Sequence, residues 1–334
     1  QGLDCDVASG GELHLALRAG FDPEKIYLHG NAKDDSELDY ALASGVGQIV
    51  LDSLGEVDRL ERLAAARGVT QRVLIRVTPG IKPSTHSYIQ TGQLDSKFGF
   101  SLADAATAIE RIQASSRLEL IGLHMHLGSQ IFDLEPYKLA IEQLRTLGDF
   151  STYNLGGGLG VAYGADDEPP SIAEYVKVNV DAAHELLGPD KRLLMEPGRS
   201  LVANSTVTLY SVVSVKKNVS TYVAVDGGMS DNLRPMLYEA VYEAQIAHRF
   251  GGGTRSKVAG KHCESGDIIV READLNEPRA GDLLVTPATG AYGYAMSNNY
   301  NGIARAPVIF CKDGNARVVV RRESYDDLAA RDVG

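Results

Sequence analysis

The chain has 334 residues, 44% of them hydrophobic and 23% charged, with a formal net charge of −11. This length suits two domains of ordinary soluble composition, and an acidic balance without a basic run argues against nucleic acid or an anionic membrane surface as the main partner. Three scattered cysteines (Cys5, Cys263 and Cys311) form neither a disulfide framework nor a zinc spacing and point to a reducing cytoplasm, and no apolar run approaches the roughly 18 residues of a membrane span.

The first 200 residues alternate short apolar runs with amphipathic stretches. Strands are predicted at 4–9, 26–30, 48–52, 73–78, 120–128, 152–156 and 193–196. Helices are predicted between them at 12–19, 36–43, 54–67, 102–115, 136–147 and 172–187, with capping boxes at Ser53-Leu-Gly-Glu56 and Ser171-Ile-Ala-Glu174. Strand followed by helix, repeated, implies parallel strands with right-handed crossovers. Seven strands are visible where a (β/α)8 barrel needs eight. The chain begins at Gln1 with neither an initiator Met nor a signal pattern. The expectation is therefore a barrel whose first strand lies upstream of the given sequence. An open doubly wound sheet, which tolerates seven strands, is the rival.

Beyond about residue 205 the texture changes. Apolar, β-branched runs recur at 207–215, 222–225, 268–270, 283–286, 308–310 and 317–320, with one helical pattern at 234–247. This predicts an antiparallel β-barrel or sandwich domain. The division falls near residues 200–206, giving a barrel over 1–203 and a β domain over 204–334.

Several constellations could carry chemistry. Leu155-Gly-Gly-Gly-Leu-Gly160 follows a strand, and consecutive glycine N–H groups can cradle a phosphate. A dinucleotide fingerprint would need the glycines to open a helix directly, whereas the acidic loop 163–170 intervenes. Glu196-Pro-Gly-Arg199 ends the next strand. With one strand upstream, these are the loops after strands 7 and 8, the usual phosphate site of such barrels. His124 and His126 share one strand face. A metal would want further His or Asp ligands at later strand ends, and those near Gly156 and Glu196 offer neither. Stacking or hydrogen bonding is left for the imidazoles, with Ser129 nearby as a phosphate donor. Arg234 and Tyr238, four residues apart on a predicted helix, could grip a carboxylate. Tyr292 lies in a small-residue loop. The octapeptide 260–267, Gly-Lys-His-Cys-Glu-Ser-Gly-Asp, sets Cys263 beside His262 and Lys261, neighbours that favour a thiolate. Each also has a structural alternative: a surface turn, a core tyrosine or a satisfied buried histidine.

Together these segments resemble the diaminopimelate decarboxylases, pyridoxal-phosphate enzymes of the alanine-racemase-like fold. The similarity spans essentially the whole chain. It rests on 6–13 (DVASGGEL), His29-Gly-Asn, 96–100 (SKFGF), 122–130 (GLHMHLGSQ), 155–160, 196–199, 225–235 (VDGGMSDNLRP), 260–267 and 288–292. The glycine loop and the Glu-Pro-Gly-Arg segment are common to the wider basic amino-acid decarboxylases, whereas 260–267 and Arg-Pro-Met-Leu-Tyr238 look specific to this branch. The resemblance implies decarboxylation of meso-2,6-diaminopimelate to L-lysine and CO2. It implies Glu196 on the pyridine nitrogen and His126 stacked on the ring, with Ser129, Gly157, Gly158, Gly198 and Arg199 around the phosphate. Tyr292 would meet both cofactor and substrate, while Arg199, Arg234, Tyr238 and Glu264 would hold the distal end of the substrate. Cys263 would protonate the α-carbon, reaching with Glu264 into the partner's site of a homodimer.

Two features depart from the family pattern. His29-Gly-Asn-Ala-Lys33 has one Asn where two are usual, and the cofactor-bearing lysine of the first barrel strand has no counterpart in the sequence. Lys33 and Lys97 fall in predicted loops and are expected to be paired or solvated. The connection at 148–152 is short. The rivals are a decarboxylase of ornithine, arginine or carboxynorspermidine, and a non-catalytic relative if the upstream lysine is truly absent.

Overall fold

The structure is a computed structural model and describes residues 2–81 and 96–334. Contacts divide the chain into two compact units, residues 1–160 with 169–198, and residues 161–168 with 199–334.

The first unit contains seven strands: β1 (Cys5–Val7), β2 (Ile26–Leu28), β3 (Gln48–Leu51), β4 (Gln71–Val77), β5 (Leu118–Met125), β6 (Thr152–Gly157) and β7 (Arg192–Glu196). They form one all-parallel sheet in strict chain order. A doubly wound sheet would reverse its strand order at a switch point, so an order that never reverses selects the barrel wall. The edges curve toward each other: Arg192 Nη2, at the start of β7, lies 3.1 Å from Tyr27 Oη and 3.6 Å from Asp4.

Six helices cross between these strands: α1 (Gly10–Arg18), α2 (Asp35–Ser44), α3 (Leu54–Arg67), α4 (Leu102–Gln113), α5 (Glu135–Arg145) and α6 (Ile172–Leu187). The strand period of two sorts the wall into two faces. Leu28, Ile49, Val73, Leu123 and Tyr153 pack outward on helix residues such as Leu38, Leu60, Ile112 and Ile141. Tyr27, Val50 and Leu74, with Ile121 and Leu194, fill the interior. Each fully buried aliphatic side chain contributes about 1.5–3 kcal/mol, so the wall is held chiefly by this outer layer.

The capping box at Ser171 and Glu174 forms as expected. The one predicted at Ser53 does not, because the Ser53 side chain makes no cap bond and Glu56 is turned into the interior toward Lys33. A box that sequence reading passed over, Asp34 with Glu37, opens α2.

The second unit has a six-stranded sheet built from β8 (Thr208–Lys217), β9 (Thr221–Val225), β10 (Gln245–Ile246), β11 (Thr254–Ala259), β12 (Ile268–Leu275) and β13 (Leu283–Thr286). Its order is β10-β13-β8-β9-β11-β12. The pairing of β9 with β11 is parallel, so the sheet is mixed rather than purely antiparallel. A separate hairpin joins β14 (Val308–Lys312) to β15 (Asn315–Val320). The core is Val212, Val223, Val258, Ile269, Leu275 and Leu284, with Tyr163 and Val161 of the segment 161–168.

The helix expected over 234–247 is corrected to one turn, α8 (Arg234–Leu237). Glu239 takes a left-handed backbone, φ 55°, which ends it. From Val241 onward exposure alternates residue by residue, with Tyr242, Ala244 and Ile246 inward, and the segment runs into β10. Among the described residues no helix is long and apolar enough to cross a membrane.

Candidate active site

Parallel strands deliver their carboxyl ends to one rim, and five rim residues of the first unit converge there. Glu196 ends β7. Asn154 of β6 donates to its Oε1 at 2.6 Å. His124 of β5 places Nε2 3.3 Å from Oε1 and 3.4 Å from Oε2. His29, just past β2, places Nε2 3.3 Å from Oε1 and 3.5 Å from Asp6 Oδ1, within ion-pair range of both carboxylates but aligned for a hydrogen bond with neither. The two imidazoles meet edge to face, with centroids 4.9 Å apart.

Burial alone would raise the Glu196 carboxyl, but His124 and His29 outweigh it and hold the group well below the usual carboxylate range. Burial lowers His124 to about 4, so its ring is neutral at pH 7. His29 is moved the other way: burial works against its charge, yet Glu196 and Asp6 raise it above its ordinary value. Asp6 is raised, first by burial and then by the charge of Glu196. The ligand-type atoms of His29, His124 and Glu196 lie within 4.8 Å of one another. The third group comes from an earlier strand end, which the sequence argument about metals did not search.

His126 follows His124 on the same face. Its Nδ1 accepts the Gly157 N–H at 3.2 Å, which assigns the proton to Nε2, and burial followed by Arg76 lowers the ring to about 3. Gly157 is thereby committed through its N–H, while its carbonyl accepts from Tyr137 Oη at 2.8 Å. Gly158 has φ 109°, and a Cβ there would stand 2.4 Å from Gly128 O. That close approach sets the glycine loop against the turn carrying the half-buried Ser129. Ser129, Gly157, Gly158 and His126 are thus brought together. Gly198 is exposed at the head of the short helix α7 (Gly198–Val202).

In the second unit, Arg199 and Arg234 are both buried. Arg199 Nη1 donates to Tyr163 Oη at 2.5 Å, and its guanidinium lies 4.9 Å over the Tyr292 ring. Arg234 donates to Tyr242 Oη and lies 4.6 Å over the Tyr163 ring. Two cations therefore share an aromatic cage. Arg234, 5% exposed, has no carboxylate partner among the described residues, and its Nε is buried without a bond. Tyr292 is 44% exposed and held at φ 64°, a costly backbone for a bulky residue. Tyr238 is half buried at the end of α8, and the hydroxyl that meets Arg234 belongs to Tyr242 instead.

Cys263 and Glu264 lie on an exposed turn. His262 points inward, its Nδ1 2.7 Å from Asp267 Oδ2 and its ring stacked on Tyr300, so the imidazole anchors the turn. Asp267 also receives the His262 and Met229 N–H groups. Cys263 N–H donates to Asn301 Oδ1 at 3.0 Å.

Lys33 is 1% exposed and paired with Glu56, itself 0% exposed, at 2.7 Å. Lys97 is exposed with Nζ 4.9 Å over the Phe98 ring. Sequence reasoning missed Asn154, Tyr163 and Tyr242 altogether and took His29 only as part of a motif. The alternation of apolar and polar residues in Tyr242-Glu-Ala-Gln-Ile246 is a signal that could have set Tyr242 inward.

Residues 1–203 match the family described as pyridoxal-dependent decarboxylase, pyridoxal binding domain. Over 352 residues the chain is 47% identical to a diaminopimelate decarboxylase of Bacillus subtilis, covering 100% of this chain and 80% of the relative. Over 361 residues it is 44% identical to that of Mycobacterium tuberculosis, covering 100% and 81%. The crystal structure of diaminopimelate decarboxylase from Helicobacter pylori complexed with L-lysine matches with a TM-score of 0.92 at 33% identity, over 99% of this chain and 84% of that one.

Proposed function

The chain belongs to the diaminopimelate decarboxylase family of pyridoxal-dependent enzymes, and we propose that the two clusters described above divide the work of its reaction. The reaction is removal of CO2 from meso-2,6-diaminopimelate to leave L-lysine, the last step of lysine biosynthesis, by a carbon–carbon lyase that uses pyridoxal 5'-phosphate.

The rim residues fit that cofactor. An ionised Glu196 with acceptor capacity left on its oxygens suits a protonated ring nitrogen, and the glycine loop beside Ser129 has the close backbone approach a phosphate needs. When bound, the cofactor supplies an electron sink for the pair released as CO2 leaves. Glu196 would hold the ring nitrogen, His126 would stack on the ring, and Ser129, Gly157, Gly158, Gly198 and Arg199 would surround the phosphate. Tyr292 would touch cofactor and substrate.

The substrate reading is carried by one observation, the buried guanidinium of Arg234 with no carboxylate partner among the described residues. A buried cation left without a counter-charge is costly, and an incoming carboxylate relieves that cost. Diaminopimelate has a carboxylate at its distal end, whereas ornithine-type substrates have a bare amine. Arg199, Tyr238 and Glu264 would complete the grip on the distal zwitterion.

Cys263 would deliver the proton to the α-carbon. Its exposure, with that of Glu264, supports a homodimer in which both enter the partner's site, and three free cysteines suit the cytoplasm. Parallel assays with meso-diaminopimelate, ornithine and arginine test the reading. Lysine and CO2 are expected from the first alone, and turnover of ornithine without lysine formation would sink it.

A further inference from the structure

Glu196 is held by three side chains from three different strand ends: Asn154 bonds Oε1, His124 bonds Oε2, and His29 stands within ion-pair range. Oε1 faces Asn154 Nδ2 at 2.6 Å, His29 Nε2 at 3.3 Å and His124 Nε2 at 3.3 Å. Oε2 takes the hydrogen bond of His124 Nε2, at 3.4 Å. His124 Nδ1 is buried and makes no bond, so the single proton of a neutral ring belongs on Nε2, facing the carboxylate. Asn154 is itself fixed, because its Oδ1 accepts the Gly156 N–H at 3.0 Å. Asp6 Oδ1 lies 3.5 Å from the same His29 Nε2, a second carboxylate within ion-pair range.

We propose that His29, His124 and Asn154 are positioning residues that clamp Glu196 from three strand ends, keep it ionised, and so set it to receive the cofactor's ring nitrogen. This rests on the assignment of Glu196 to that nitrogen. A proton shared between a carboxylate and a pyridine nitrogen goes to whichever is the stronger base. Donors to the carboxylate stabilise its charged form and weaken it as a base, so the clamp keeps the proton on the ring nitrogen. Without the donors Glu196 becomes more basic and the proton moves toward it. No step of the reaction passes through either histidine; both act on the partition of one proton.

The test is the 15N resonance of cofactor labelled at the ring nitrogen and bound to the protein. The wild type should give the pyridinium position. His124→Leu and His29→Leu should each move the signal toward neutral pyridine and lower kcat by about 10- to 100-fold, with KM little changed. His124→Gln, which keeps an N–H donor, should restore the signal. If a leucine variant loses its fold, judged by circular dichroism, Asn154→Ala should produce the same movement, since it removes the shortest donor. An unmoved pyridinium signal in the His124, His29 and Asn154 variants, alongside a moved one in Glu196→Gln, would overturn the clamp and leave the role of Glu196 standing. A signal unmoved in Glu196→Gln as well would overturn both.

Discussion

The Arg234 guanidinium sits among Tyr163 and Tyr242, where, among the described residues, ring faces and one hydroxyl meet it and no carboxylate does. Removing the guanidinium should cost more in substrate recognition than in folding. Arg234→Ala is expected to lower kcat/KM for diaminopimelate about 100-fold or more, the loss of one or two charge-assisted bonds, while the absorbance of bound cofactor is retained. Arg234→Lys should recover little, because an ammonium cannot reproduce the planar fork. Steady-state kinetics beside a cofactor titration decides it, and an unchanged kcat/KM in Arg234→Ala would remove the substrate argument. The residues that speak through short motifs, such as Glu196, His126, the glycines and Arg234, were legible in the sequence. Their partners were not, because they come from distant positions: Asn154 meets Glu196 across 42 residues, and Tyr163 meets Arg199 across 36. Only the folded barrel and sheet make those pairs.

The N-terminus of α3 shows how tertiary demand overrides a local signal. Ser53-Leu-Gly-Glu56 has the spacing of a capping box, yet Glu56 leaves the cap for Lys33, whose ammonium also donates to the Gly30 and Val50 carbonyls at 2.5 and 2.8 Å. A buried ammonium requires a counter-charge more than a helix end requires a second cap bond. Burial pushes the Glu56 carboxyl up from 4.5 to about 7, against the pull of Lys33. A raised folded-state value means the native protein holds a proton that the unfolded chain releases above 4.5. This group's contribution is therefore complete below about 4.5 and declines as pH rises through about 7. Glu56→Gln should remove that part of the slope of stability against pH. Above about pH 7 it should also destabilise the fold, because Lys33 then loses an ionised partner. Urea midpoints across the window measure both effects, and an unaltered slope would show that Glu56 does not titrate there. Two other elements escaped prediction for related reasons. β11 (Thr-Arg-Ser-Lys-Val-Ala) has no apolar run to announce it, only inward Ser256 and Val258. Residues 238–247 read as helical until the left-handed Glu239 and the inward alternation of Tyr242, Ala244 and Ile246 turned them into extended chain.

At the scale of the whole molecule, Cys263 and Glu264 face outward on a turn tied down from within by His262, Asp267 and Asn301. Such an investment in holding an exposed dipeptide is what a surface that acts on a second copy would need. A composite site makes a quantitative demand. Cys263→Ala alone should lower turnover at least about 100-fold with the cofactor still bound, and Glu196→Gln should be crippled independently. In a two-fold dimer built from one of each, one site collects both lesions and the other collects none. Random reassociation makes half of the dimers mixed, and half of their sites are intact, so about one quarter of wild-type activity should return when the two inactive proteins are unfolded, mixed and refolded together. Activity in the mixture no greater than the mean of the two variants would mean that Cys263 serves the subunit that carries it.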